Sequence, residues 1–568
     1  MRESNSVLKN PIVWCILITE TAERVAFFGF RAILVLYFTQ GLQFSDSVAV
    51  SLFAATAALA YLSPLIGALL ADGVWGRYQT ILRFGMMYAV GLCFLTMAAY
   101  SPSIANQTGI IEKNANNIQD PAESKNPQTS LGMARFLTLV GLLLSCTGTG
   151  GIKPCVSAFG ADQVAMDEIK GRSRKASGDG FKAHDSGIED ESQEEQNQVS
   201  TAREERIREF FNSFYFCINV GAMASFAIIP TVRHRWGFGE AFLIPAAFMW
   251  FAIFVFWSQR NRYKHSDPGD SNLVSMFQAC GIILKHRIRK NRHVKAISNF
   301  LGISSGLHDG HSLVSTRSDD EDEVFSDTTV SNQGLDELRE SPIYQDAAQA
   351  LHVLPILLMF PMFWMLYDQQ GSVWTLQAAD MALHGLEPEQ LNALNPVEIM
   401  IFIPVFDLLL YPWLESRGFN IQPIRRMEYG MFLISVSFFV SGLLDGYIQQ
   451  QPANSVHVAW QIPQITIVTV AEILLSVTGL EFAYAQSPQN SQALILAFYL
   501  FMTAIGDGLG AILYASIFSS LSRGAAMLLC ALLMLINLAI FSYVASKWKP
   551  YVRDTEGDGK ATLELGSV

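Results

Sequence analysis

Apolar stretches of roughly the length needed for a helix to cross a bilayer, about 20 residues, recur along most of the chain, separated by polar runs. They are centred near Phe28, Ala60, Tyr88, Leu143, Val220, Phe251, Phe360, Ile403, Ser437, Val470, Leu500 and Ala531, so the pattern predicts twelve membrane helices. Two polar insertions interrupt them, roughly 161 to 209 with GRSRKASGDG and EDESQEEQNQ, and roughly 259 to 345 with KHRIRKNRH and TRSDDEDEVFSDTT. The second insertion divides the helices six and six. The expected organisation is therefore an all-α membrane protein with a first six-helix bundle over 1–258, a linker over 259–345, a second bundle over 346–546 and a tail over 547–568. Mixed charge and abundant Ser, Asp and Glu predict disorder in both insertions, although LVSMFQACGIILKH has the character of an interfacial helix.

Composition supports the membrane class, because 50% of the 568 residues are hydrophobic and only 16% are charged. The net charge of -12 gives no reason to expect a nucleic-acid partner. Seven cysteines show neither disulfide-framework nor metal-site spacing. The opening MRESNSVLKNP lacks the features of a cleaved signal peptide, so the first helix is expected to remain. Lys and Arg favour the cytoplasmic side of a membrane protein. Placing both termini there collects Arg77, Arg83, Arg260, Arg262, Lys264, Arg417, Arg425 and Arg426 on that side. Both insertions then lie inside, and the loop near 101–130, with the sequon Asn106-Gln107-Thr108, lies outside and is open to glycosylation.

Charges inside the apolar stretches change the picture most. Each costs about 2.5 to 3.5 kcal/mol near the bilayer centre unless it is paired or faces water. ITETAERVAFFGFR carries Glu20, Glu23, Arg24 and Arg31 along one side of the first helix. Lys153, His352, Asp368, Asp407, Glu472, Glu481 and Asp507 occupy other helices in both halves. Several have plain structural readings: Glu472 as a snorkelling or paired group, His352 as an interface histidine, and Asp507, between two glycines, as an acceptor for freed backbone donors. Lys153 differs, because Gly148, Gly150, Gly151 and Pro154 loosen its helix and suit a cation that meets a substrate. The stripe offers a coupling device. An anion that engages Arg24 would release Glu20 or Glu23 to take a proton, linking anion and proton binding under a driving force of about 2.3 kcal/mol per charge per 100 mV.

GALLADGVWGR resembles the loop between the second and third helices of the major facilitator superfamily, which makes Asp72, Gly76 and Arg77 candidate cytoplasmic gate residues. More extensively, the chain resembles the proton-dependent oligopeptide transporters. ETAERVAFFG is similar to their first-helix motif, GTGGIKPCVSAFGADQ to the fourth-helix signature, FFNSFYFCINVGAMAS to the fifth, FWMLYDQQGSVWTLQA to the seventh and GLEFAYAQSP to the tenth. The resemblance implies a major facilitator fold with twelve helices in two six-helix bundles around a central cavity. It also implies symport of protons with di- and tripeptides. It would place the peptide carboxylate on Arg24 and Lys153, with Arg31 also in the binding set, and the peptide amine on Asn219, Asn395 and Glu481. Tyr61, Phe363 and Trp364 would line side-chain pockets, and Glu20, Glu23 and Asp368 would carry proton coupling.

The chain departs from the family pattern in places. Phe27 and Phe28 replace two motif tyrosines, and Ala54 stands where animal relatives often have histidine, so coupling is expected to rest on carboxylates or on His352. His352 and Asp407 stand where many relatives pair a basic residue with an aspartate, and an external gate is expected of them. The link over roughly 448 to 458 is too short for the large extracellular domain of some animal relatives. The fold also carries histidine, nitrate and other small solutes, and a receptor signalling through the cytoplasmic loops is a reading from another class. No enzyme motif or metal cluster stands out, and protons are the only coupling ion expected, with no cofactor. The lipid bilayer and a small peptide are the expected partners of a monomer, in the plasma membrane or an endolysosomal or vacuolar membrane.

Overall fold

The computed structural model describes residues 10–101, 104, 127–176, 188–264, 278–283, 341–418, 422–486 and 492–549. Asn106 and most of the second insertion lie outside them. The helices in chain order are α1 (Pro11–Ala32), α2 (Asp46–Leu70), α3 (Gly76–Ala99), α4 (Pro127–Ala176), α5 (Ile188–Trp236) and α6 (Phe238–Ser258) in the first half. The second half contains α7 (Pro342–Leu357), α8 (Pro361–Tyr367), α9 (Val373–Ala379), α10 (Leu394–Val405), α11 (Tyr411–Ser416), α12 (Pro423–Ile448), α13 (Ile462–Glu472), α14 (Thr478–Ala485), α15 (Gln492–Ala515) and α16 (Arg523–Lys547).

Nine apolar runs among the described residues are long enough to cross a membrane, or ten when α7 and Pro361–Ala379 count as one bent span. One run, Asp46–Ala99, contains two helices, α2 and α3, parted where Gly76 takes φ +75°. That conformation suits a residue without a Cβ. With α1, set apart by its charges, the expected twelve spans are all present. Residues that a soluble protein would hide are exposed, among them Phe254, Leu408 and Ile512, as befits a surface solvated by lipid. Around the first insertion the structure differs from the expected disorder. Helix α4 continues to Ala176 and α5 begins at Ile188, because the polar run is rich in Glu, Gln, Lys, Arg and Ala, which sustain a helix beyond the membrane.

The chain forms two compact units. The larger comprises Met1–Ser271, Ile356–Phe482 and Leu496–Ser546, and the smaller comprises Asn272–Pro355, Ala483–Ile495 and Lys547–Val568. In the larger unit, α4 packs against α2 and α3, while α1 packs against α5 and α6. The α2–α4 contact is backbone to backbone, since a Cβ on Gly67 would lie 2.5 Å from the Gly151 Cα. In the smaller unit, Gln349 donates to the Gln486 carbonyl at 3.1 Å, and the His352 ring meets the Lys549 carbonyl at 2.6 Å. Trp548 donates to the His352 carbonyl at 3.0 Å and lies against its ring.

Candidate substrate cavity and its charges

Within the larger unit a cavity of about 220 Å³ opens between the two halves. From the first half come Phe28, Arg31, Phe53, Tyr215, Asn219 and Phe226, and from the second Tyr367, Asp368, Asn392, Asn395, Ile399 and Glu472. The wall is mostly aromatic and aliphatic, and its charges are few and placed apart. Arg31 comes from the last turn of α1 and forms an ion pair with Asp368 across the two halves, with its guanidinium 4.8 Å from the Phe53 ring centre. Asp368 stands where α8 gives way to a tighter turn over Asp368–Gly371. Gly371 leaves room for the Phe53 ring, which a Cβ would meet at 2.7 Å.

The second charged group is Glu472, the last residue of α13. Asn395 donates to its Oε2 at 3.0 Å and to the Thr469 hydroxyl at 3.1 Å, and the Tyr367 hydroxyl reaches Asn395 Oδ1 at 3.4 Å. A π-helical turn, Ile473–Val477, follows at once. Glu472 lines the cavity while Glu481, nine positions on, is exposed and does not, since residues nine apart leave a helix of about 3.6 residues per turn on different sides. Sequence reasoning placed the amine-binding carboxylate at Glu481. The one signal for Glu472 was a second acidic residue on the same apolar helix, and spacing alone does not say which side of a helix meets the cavity.

The charged stripe of α1 divides in two. Only Arg31 lines the cavity. Arg24 is buried between both glutamates, with Nε 3.1 Å from Glu20 Oε1 and 2.5 Å from Glu23 Oε2, and the Thr149 hydroxyl donates to Glu23 Oε1 at 2.8 Å. Lys153 does not line the cavity either; its ammonium lies 4.6 Å from the Phe27 ring centre and 4.2 Å from that of Tyr61. Phe363 and Trp364 also lie outside the lining, packed beside Tyr367, and Phe363 is fully buried. Asn219 lines it and donates to the Tyr215 carbonyl at 2.9 Å.

Of the gate residues, Arg77 forms an ion pair with Asp162 at 2.5 Å within the first half, Gly76 makes the turn described above, and the Asp72 side chain lies outside the described set. Asp407 is exposed at the start of a π-helical turn, Phe406–Leu410, and His352 engages the tail residues Trp548 and Lys549.

The halves are joined at one end. Arg233 on α5 pairs with Glu387 at 2.8 Å and with Glu389 at 2.7 Å. Gln390 donates to the Ala227 carbonyl at 3.0 Å, and the Ser51 hydroxyl donates to the Ala511 carbonyl at 2.7 Å. This clasp was absent from the sequence reading, because its residues sit in and beside a loop rather than in a motif.

Such a molecule is a multi-pass membrane protein whose two helical halves enclose a charged cavity. A model of the POT family matches residues 78–525, and the chain belongs to that family. Solute carrier family 15 member 1 of Homo sapiens is 30% identical over 459 residues, which cover 78% of this chain and 53% of the relative. Peptide transporter family 2 of Caenorhabditis elegans is 33% identical over 439 residues, covering 76% of this chain and 46% of the relative. The chain thus spans about half the length of the curated relatives it matches. The in meso crystal structure of the POT family transporter PepTSo aligns with a TM-score of 0.66 at 24% identity, covering 94% of this chain and 98% of that one. An auto inhibited POT family peptide transporter aligns at 0.67 and 23% identity, covering 97% and 99%. The fold is that of the major facilitator superfamily.

Proposed function

We propose that this protein is a proton-coupled symporter of di- and tripeptides that works by alternating access. The observation that carries this reading is the cavity between the halves, with Arg31 on one wall and Glu472, held by Asn395, on the other. A zwitterion needs a cation for one end and a carboxylate for the other. Nitrate has no amine for Glu472, so the arrangement favours peptides over inorganic anions. The volume lies below the roughly 300 to 1,000 Å³ usual for drug-sized ligands, in keeping with a small solute. The names of the relatives support the same reading.

In this scheme Arg31 exchanges Asp368 for the peptide carboxylate, which weakens the joint between the halves when substrate arrives. The buried group of Glu20, Glu23 and Arg24 is the main proton store, and Lys153 approaches the substrate in another conformation. With the termini cytoplasmic, the closed end near 385–392 faces outward. Asp72, Gly76 and Arg77 then close the opposite end. The protein acts as a monomer in the plasma membrane.

The test is uptake of a labelled dipeptide by purified protein in liposomes under an inward proton gradient, comparing the native chain with Glu23→Gln. Accumulation by the native chain that falls to simple equilibration in the variant supports the reading. No accumulation by native protein that still binds peptide refutes it.

A further inference from the structure

Asp507 on α15 is 1% exposed, and neither of its carboxylate oxygens has a hydrogen-bond partner among the described residues. The freed backbone donors that its flanking glycines led us to expect do not reach it. The glycines act on packing instead: α15 comes so near α8 that a Cβ on Gly506 would lie 2.3 Å from the Pro361 carbonyl oxygen. Asp507 consequently lines a cavity of about 10 Å³ together with Asp368, Gln369, Ser372, Tyr514 and Ala54. A space of that size holds at most one water. Asp368 gives one oxygen to Arg31 and leaves its Oδ2 unpartnered as well.

The charged and titratable groups facing Asp507 are Asp368 from the turn after α8, Arg31 from α1, Lys153 from α4, Tyr61 from α2 and Tyr514 on its own helix. Lys153 in turn interacts with Glu20, Glu23 and Arg24. Among the described residues, the connected group holds three cations, Arg24, Arg31 and Lys153, against four carboxylates, Glu20, Glu23, Asp368 and Asp507. It is one positive charge short of neutrality. The first-helix carboxylates share Arg24, Asp368 has Arg31, and Lys153 faces Glu20 and Glu23 as well as Asp507, which leaves Asp507 without a cation of its own or a donor. A buried carboxylate in that position is the costliest kind of charge to keep, and a proton removes it.

We propose that Asp507 is a proton-binding site, occupied while the end near 385–392 is closed and exchanging its proton with the substrate cavity through Asp368. Asp368 is suited to the relay because it lines both the small cavity and the large one. When the closed end opens, the Asp507 carboxylate takes a proton from hydronium, leaving water. Arg31, drawn to the arriving substrate, leaves Asp368 free to accept the proton after closure; the Asp507 O–H bond breaks as an Asp368 O–H bond forms, and Asp368 then yields the proton to water in the large cavity. This rests on the proton-coupled reading above and adds a carrier distinct from Glu20 and Glu23.

The experiment is infrared spectroscopy of the native chain, Asp507→Asn and Asp368→Asn in liposomes at neutral pH, reading the C=O stretch of protonated carboxyl groups before and after exchange into heavy water. One such band is expected to disappear in Asp507→Asn, which removes the acid. It is also expected to disappear in Asp368→Asn, which leaves Arg31 to Asp507 and lets it ionise. Bands identical to the native spectrum in either variant overturn the proposal. In transport, Asp507→Asn should lower the number of protons carried per peptide by one, read from the proton gradient that just balances a peptide gradient; an unchanged ratio overturns the relay. Failure of the native chain to move peptide refutes the proposed function and leaves the infrared test of Asp507 standing.

Discussion

Replacing Arg233 by methionine tests whether the clasp at the 385–392 end sets the conformational balance. The Arg233 side chain is 10% exposed and holds Glu387, at 14%, and Glu389, at 0%. Removing one member of a buried ion pair costs about 3 to 5 kcal/mol, because the other charge stays buried and unpaired. Glu387 retains His234 at 3.1 Å, whose side chain is 67% exposed, so most of the penalty falls on Glu389. The penalty exists only while this end is closed, since opening returns the glutamate to water. Even the lower bound of about 3 kcal/mol, at 1.4 kcal/mol per tenfold change, is a shift on the order of 100-fold toward the open form.

The assay is pulsed electron spin distance measurement between nitroxides on the two halves, one near Thr231 and one near Leu391, in liposomes. The native chain should give one short distance, and Arg233→Met a dominant longer one. Arg233→Met combined with Glu389→Leu should recover most of the short distance, because replacing both partners by apolar groups removes the unpaired charge along with the pair. An unchanged distance distribution in the single variant, or a double variant as open as the single, would refute the reasoning.

Other consequences are simpler to measure. Glu472→Gln should raise the KM for a dipeptide with a free amino terminus by about 10- to 100-fold, the loss of one hydrogen bond to a charged group, with little effect on an N-acetylated analogue; equal effects on both ligands would place Glu472 outside amine recognition. Gly67→Ala puts a methyl group 2.5 Å from the Gly151 Cα. Overpacking of that kind costs about 1 to 3 kcal/mol, so the variant should melt at a lower temperature in detergent, and an unchanged Tm would show that the α2–α4 contact relaxes freely.

Hydrophobic spacing alone was enough for the twelve helices, because a bilayer imposes a minimum apolar length whatever the packing. It also made the buried charges of α1 conspicuous, since a charge in an apolar run has to be explained locally. The chain order of motifs from the first helix to the tenth made the family legible. Which charge meets which is another matter. The stripe at Glu20, Glu23, Arg24 and Arg31 looks continuous along one helix, yet α1 runs past the end of one environment into another. Arg24 closes on its own neighbours and Arg31 reaches Asp368, distant in the chain.

Tertiary structure decided the rest through geometry that no residue pattern records. The packing of the tenth span sets Glu472 into the cavity, and the close approach at Gly506 seals Asp507 beside Asp368. The Arg233 clasp comes from a loop and a helix end that meet only after both halves fold. Sequence determined that this chain crosses a membrane many times and carries charge where lipid forbids it, because those are properties of composition and local period. The assignment of each charge to substrate, gate or proton depends on which helix lies opposite, and distances of a few ångströms between segments hundreds of residues apart exist only in the folded molecule.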